Sequence, residues 1–161
     1  MPTSTTVTYT RGTTYIENAY TDDGKACTAH GLVGTVSVHG QTYDAIERMD
    51  GYVKMKAGTY PNSSMYVDAK RGKVLNPWLG PTSEANRQLV NILFHAGSAP
   101  SHFEGCVGLG KIAKGSLTQS SEAMAALWTQ CGGKVDSDKP LVTVVVVGEM
   151  PALAACTKDT R

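Results

Sequence analysis

No run of apolar residues in this 161-residue chain approaches the length needed to cross a bilayer; the longest, Leu141 to Val147, is strand-sized and β-branched. There is no excess of either charge, because 15 Lys+Arg against 14 Asp+Glu leave +1. A polyanion partner normally needs a basic stripe, so nucleic acid is excluded as an expected partner, and so is membrane insertion. The short Lys70-Arg71-x-Lys73 run reads as a solvated loop. No Cys-x-x-Cys pair occurs among the four cysteines, Cys27, Cys106, Cys131 and Cys156, which excludes zinc-finger and thioredoxin spacings. Cys131 and Cys156 flank the last strand region and pairing between them stays open; four thiols is the default for a cytosolic product. The Thr-rich start lacks a basic segment followed by an apolar one, so the expectation is synthesis in the cytoplasm with delivery by a route other than a Sec signal. Internal repeats and low-complexity blocks are also absent.

What is present is enough for one domain with a real core: 41% hydrophobic and 18% charged residues. Residues 1–30 read as a peripheral segment, with Thr5 to Thr10 as an edge strand and Asp22 to Lys25 as a turn. Residues 31–161 read as a single catalytic domain. Val33 to Val38, a His39-Gly40-Gln41 turn and Thr42 to Ile46 form a hairpin. Short strands are expected at Val53 to Met55 and from Ser64 to Ala69, then a long surface loop over 71–87. An apolar strand from Leu89 to Phe94 ends at His95. Ser120 to Gln130 carries the one clear helical pattern, capped by Ser120 or Ser121 and stopped by Gly132-Gly133. Leu141 to Val147 reads as a central strand. The fold class is mainly β (α+β), an antiparallel, barrel-like sheet with one main helix.

Two small motifs stand eleven positions apart (106 − 95 = 11): a strand-end His95-Ala96-Gly97-Ser98 and Glu104-Gly105-Cys106-Val107-Gly108. A loop between them can fold back so that imidazole and thiol meet. The chemistry needs that meeting, because an ordinary thiol titrates near pH 8.5 and a bonded imidazole can take its proton. An oxyanion then needs donors, which the amides of Gly105 and Cys106 could supply, with Gly97 and Ser98 as supporting residues. A backbone carbonyl or a side chain must also hold the histidine tautomer, and Ser98 is one candidate.

Segments 34–61 and 89–110, through Ala57-Gly58-Thr59-Tyr60, Leu93-Phe94-His95-Ala96-Gly97 and Phe103-Glu104-Gly105-Cys106, resemble the L,D-transpeptidase family of bacterial cell-wall enzymes. The likeness is nearest to small phage- and type VI secretion-associated relatives. It departs in three respects: alanine follows His95, the His-to-Cys loop is shorter, and Val107-Gly108 stands where a polar residue often follows the cysteine. That last change fits a drift toward hydrolysis, or a loss of activity. The resemblance implies metal-free thiol chemistry without a cofactor, acting on peptidoglycan stem peptides as L,D-carboxypeptidase or transpeptidase. It also implies action in the periplasm or cell wall of a target cell, as an antibacterial effector or phage product, with secretion machinery or an immunity protein as further partners.

Further residues carry weaker readings. Glu104 would shape the site or meet a substrate amine, Arg87 would clamp a substrate carboxylate, and Tyr60 and Trp78 would line a groove. His102, four positions before Cys106, would contact substrate. Alternatively, His95, His102 and Cys106 would form the zinc set of a hydrolase. A non-catalytic wall-binding module is the remaining alternative. Each of these residues also has an ordinary role in packing or on the surface.

Overall fold

The computed structural model describes residues 5–49, 55–77, 93–103, 106–133 and 141–151. Eight strands form one sheet: β1 Thr6–Asp22, β2 Lys25–Val38, β3 Gln41–Arg48, β4 Gly58–Asp68, β5 Gly72–Asn76, β6 Val107–Ala113, β7 Ser116–Thr118 and β8 Leu141–Val147. Their order is β5-β4-β8-β1-β2-β3-β6-β7. All pairs are antiparallel except β1 with β8. The sheet is mainly β in character and curls into a half-barrel, with one helix, α1 Ser120–Gln130. The expected fold class is the observed one.

The curl brings β5 near β6, and a single short segment bridges them. Phe94 pairs antiparallel with Leu75 of β5 and parallel with Val107 of β6. Four backbone hydrogen bonds make the bridge: Phe94 and Leu75 exchange two, at 2.9 and 3.0 Å, while His95 N–H donates to Val107 and Val107 N–H to Leu93, each at 3.0 Å. Successive residues of an extended segment face opposite ways. Phe94, Leu75 and Val107 therefore enter the main core with Val7, Tyr9, Val36, Met65, Val144 and the α1 residues Met124, Leu127 and Trp128. Leu93 and Cys106 face the other way, into a second cluster with Ile46, Val74, Phe103 and Leu117.

Several expectations need correction. The N-terminal segment is not peripheral: β1 lies between β8 and β2, with Val7 and Tyr9 fully buried. Its polar residues are accommodated by pairing. Arg11 and Tyr9 both bond the buried Glu47 carboxylate, so a strand that reads as surface is interior. The loop expected over 71–87 contains β5, which pairs with β4 from Ser64 to Asp68; residues 78–87 lie outside the described residues. So do Val53 and Lys54 and residues 89–92, while Met55 precedes β4. The helix spans the expected residues, but its N-cap is Gln119, in the left-handed region at φ 54°, without a side-chain cap. Ser120 Oγ is engaged elsewhere, accepting the Gly97 N–H at 3.1 Å.

Candidate functional site

The parallel pairing of Phe94 with Val107 sets the site. It puts Leu93 beside Cys106, and the Leu93 N–H points at Cys106 Sγ at 3.4 Å. His95, two residues after Leu93, projects to the same side and is a diagonal neighbour of Cys106 across the two segments. The His95 imidazole lies 4.7 Å from the Phe103 ring, centroid to centroid, and Phe103 packs in the Cys106 cluster. The loop from His95 to Cys106 thus folds back as its length and glycines suggest.

The tautomer of His95 follows from its neighbour. Nδ1 lies 2.8 Å from the Ala96 carbonyl oxygen, which can only accept, so Nδ1 carries the proton. Nε2 is then left with its lone pair, the form a general base needs. Ser98 is not the orienter: its N–H donates to His102 Nδ1 at 3.1 Å, and its hydroxyl lies 3.3 Å from the same nitrogen. Of the two kinds of orienter expected, a backbone carbonyl or a side chain, it is the backbone carbonyl of Ala96 that holds the ring.

Burial is the main influence on the His95 pKa and lowers it. The Ala96 carbonyl raises it, Arg71 lowers it, Asp68 raises it and His102 lowers it, with a net shift below the ordinary value. His95 is therefore neutral at neutral pH. The unfolded chain binds a proton more readily than the folded one, so stability rises with pH between the two pKa values. The His95 contribution is complete above about pH 6.5 and is lost as pH falls through the lower, folded pKa. Urea midpoints should fall between pH 7 and pH 5.5, and His95→Asn should flatten that slope. An unchanged slope would mean that His95 is not a neutral buried imidazole.

Cys106 is 2% exposed and His95 5%. Phe103, fully buried, packs beside the His95 ring and in the same cluster as Cys106. Its ring lies against the backbone of Gly97 and Gly108. A methyl group at Gly97 would sit 2.6 Å from the Phe103 Cζ, and one at Gly108 would overlap it. Glycine at these two positions makes room for the ring. The loop carrying Phe103 is itself tied down. Asn18 accepts the Ser101 N–H at 2.9 Å and donates to its hydroxyl at 2.8 Å. Arg48, 1% exposed, donates to the Phe103 carbonyl at 3.1 Å and to the Tyr20 hydroxyl at 3.1 Å. Arg48 escaped the sequence reading, and Phe103 was read only as part of the Cys106 motif. An arginine at the end of a strand gives no local sign that it is buried.

Tyr60 packs against the main core, near Arg11 and Glu47, and its hydroxyl donates to the Lys56 carbonyl; it does not belong to the Cys106 cluster. Among the described residues, no three His, Cys, Asp or Glu side chains converge to hold a metal, and His95, His102 and Cys106 form no such set. The His102 Nδ1 is occupied by the N–H groups of Ser98 and Ala99. His102 also borders an open cavity of about 490 Å3, which is lined by Ala96, Gly97, Leu117 and the first turn of α1. Gly105, Glu104, Arg87 and Trp78 lie outside the described residues. Cys131 is a buried thiol pushed up to about 12 by that burial, which makes it a poor nucleophile. Cys156 lies outside the described residues. No helix among the described residues is long and apolar enough to cross a membrane.

No protein-family model, curated protein or solved structure matches the chain.

Proposed function

We propose that the chain is a cysteine acyl-transfer enzyme acting on peptide bonds of peptidoglycan stems, as an L,D-carboxypeptidase or transpeptidase. The observation that carries this reading is the pairing that sets His95 and Cys106 on one face, with His95 Nδ1 committed to the Ala96 carbonyl so that the ring's lone pair lies on Nε2. In the proposed cycle, His95 Nε2 takes the Cys106 proton and the thiolate attacks the substrate carbonyl. The tetrahedral intermediate collapses as His95 returns the proton to the leaving amine. Water or a second amine then resolves the thioester, giving hydrolysis or transfer. Action on the wall requires delivery out of the cytoplasm.

Purified protein incubated with defined stem tetrapeptides and followed by mass spectrometry tests the reading. Loss or exchange of the terminal D-alanine is expected, and Cys106→Ala should lower it at least about a thousandfold. Intact tetrapeptides under all conditions would remove the enzyme reading. One observation favours a second reading, a wall-binding module: Cys106 is nearly inaccessible at 2% exposure. On that reading the wild type and Cys106→Ala would retain muropeptides equally.

A further inference from the structure

We propose that Arg71 is the anion anchor of the His95–Cys106 site, binding a carboxylate that the substrate carries close to its reacting carbonyl. The inference rests on the reading of Cys106 as a nucleophile. It starts from the hairpin joining β4 to β5. Asp68 Oδ1 accepts the backbone N–H of Lys70 at 2.8 Å and of Arg71 at 2.9 Å, and Gly72 completes the reversal at φ 75°. This pins the base of Arg71.

The hairpin is aimed at the site by register. Leu75 pairs antiparallel with Phe94, so β5 runs back along the His95 segment and its turn extends past His95. Val74, next to Leu75, faces the other way and joins Cys106 in the second cluster, and Tyr66, its partner on β4, packs there too. Asp68 follows Tyr66 by two residues and shares that face. Arg71 and Asp68 are close enough to act electrostatically on His95 in opposite senses. Lys73 is turned away, with its ammonium 5.7 Å from the Trp128 ring.

Arg71 has capacity to spare. Its contact with Asp68 is long, 3.7 Å from Nη1 to Oδ1, and 36% of its side chain is exposed. A guanidinium presents five donors in a planar fork suited to two carboxylate oxygens at once. One distant ion pair leaves most of that fork for a ligand. Asp68 fixes the turn and holds the guanidinium in place without satisfying it.

Alkylation of Cys106 by two reagents of nearly equal size tests the anchor: anionic iodoacetate and neutral iodoacetamide. In both, the thiolate carbon–sulfur bond forms as iodide leaves, the thiol proton having passed to His95. Any need for the loop to open affects both alike, so the rate ratio reads the local charge. Arg71→Ala should lower the iodoacetate rate roughly tenfold while leaving the iodoacetamide rate within about twofold. Arg71→Lys should recover part of the loss, and salt should compress the wild-type ratio. Lys25→Ala, an exposed charge removed at the distant β1–β2 turn, should change neither rate. A ratio unaltered by Arg71→Ala, with Cys106 still labelling faster than Cys131, overturns the anchor and leaves the thiol reading standing. Cys106 labelling no faster than Cys131 in the wild type overturns both.

Discussion

Glu47→Ala should destabilise the domain by about 3–5 kcal/mol, enough to unfold much of a marginally stable population. The Glu47 carboxylate is wholly buried and accepts three hydrogen bonds: from Tyr9 at 2.7 Å, Arg11 Nε at 2.8 Å and Arg11 Nη2 at 2.9 Å. Burial first, and then the carboxylate, hold the Tyr9 phenol well above its ordinary value, so it serves as a donor at every physiological pH. Removing Glu47 would strand the Arg11 guanidinium and the Tyr9 hydroxyl in the core. Arg11 also donates to the carbonyls of Gly148 at 2.9 Å and Met55 at 2.5 Å, so the damage would spread to the chain beyond β8 and before β4. Urea denaturation followed by circular dichroism would measure the loss. The pair Arg11→Met with Glu47→Leu should recover much of it, because an apolar replacement leaves no buried charge unpaired. A single Glu47→Ala variant as stable as the wild type would mean that the cluster is hydrated rather than buried.

Phe103→Ala should have an effect of similar size, about 3–5 kcal/mol, and a chemical one besides. Its ring fills the space between Gly97, Gly108 and the His95 imidazole, and it packs in the cluster that contains Cys106. Without it, iodoacetamide should reach Cys106 faster. Cys131 provides the control for global opening, since it is buried beside α1 in the main core. A rise at Cys106 that exceeds the rise at Cys131 reports local exposure, whereas equal rises report unfolding. Phe103→Leu retains most of the volume and should fold where Phe103→Ala does not. If labelling of Cys106 is unchanged in a folded Phe103→Leu or Phe103→Ala protein, the ring is not what covers the thiol.

The parts of the fold that were legible in the sequence are those whose signals are local. The helix declared itself through Ala123, Met124, Leu127 and Trp128 on one face and Gly132 at its end, where φ is 81°. The β2–β3 hairpin did so through His39-Gly40, both with positive φ, and β8 through its run of valines. The parts that escaped depend on contacts distant in sequence. Thr-rich β1 is interior because Arg11 and Glu47, 36 residues apart, neutralise each other. Gly108 and Gly110 both lie in β6, where glycine weakens the local signal of a strand. One makes room for the Phe103 ring, and the other for the Thr118 carbonyl and the start of α1. The candidate pair His95 and Cys106 was singled out by residue type and spacing. The Ala96 carbonyl was not, because a backbone acceptor leaves no mark in a sequence. Arg71 was read as solvated, since only the β5–Phe94 pairing reveals what its hairpin points toward.

The position of β8 bears on how the chain assembles as it is made. Among the described strands it is the last in sequence, yet it is inserted between β4 and β1. Until Leu141 to Val147 leave the ribosome, those two strands have no partner along their facing edges, and the main core lacks Val142, Val144 and Val146. Loop closure over such a span is entropically costly and slow. The nascent chain therefore cannot complete its core in stages from the N-terminus. It must wait, with two open strand edges, for one late segment that zips both halves together. The pairing of Phe94 with Leu75 belongs to the same closing event, because it joins the two sides of the curled sheet.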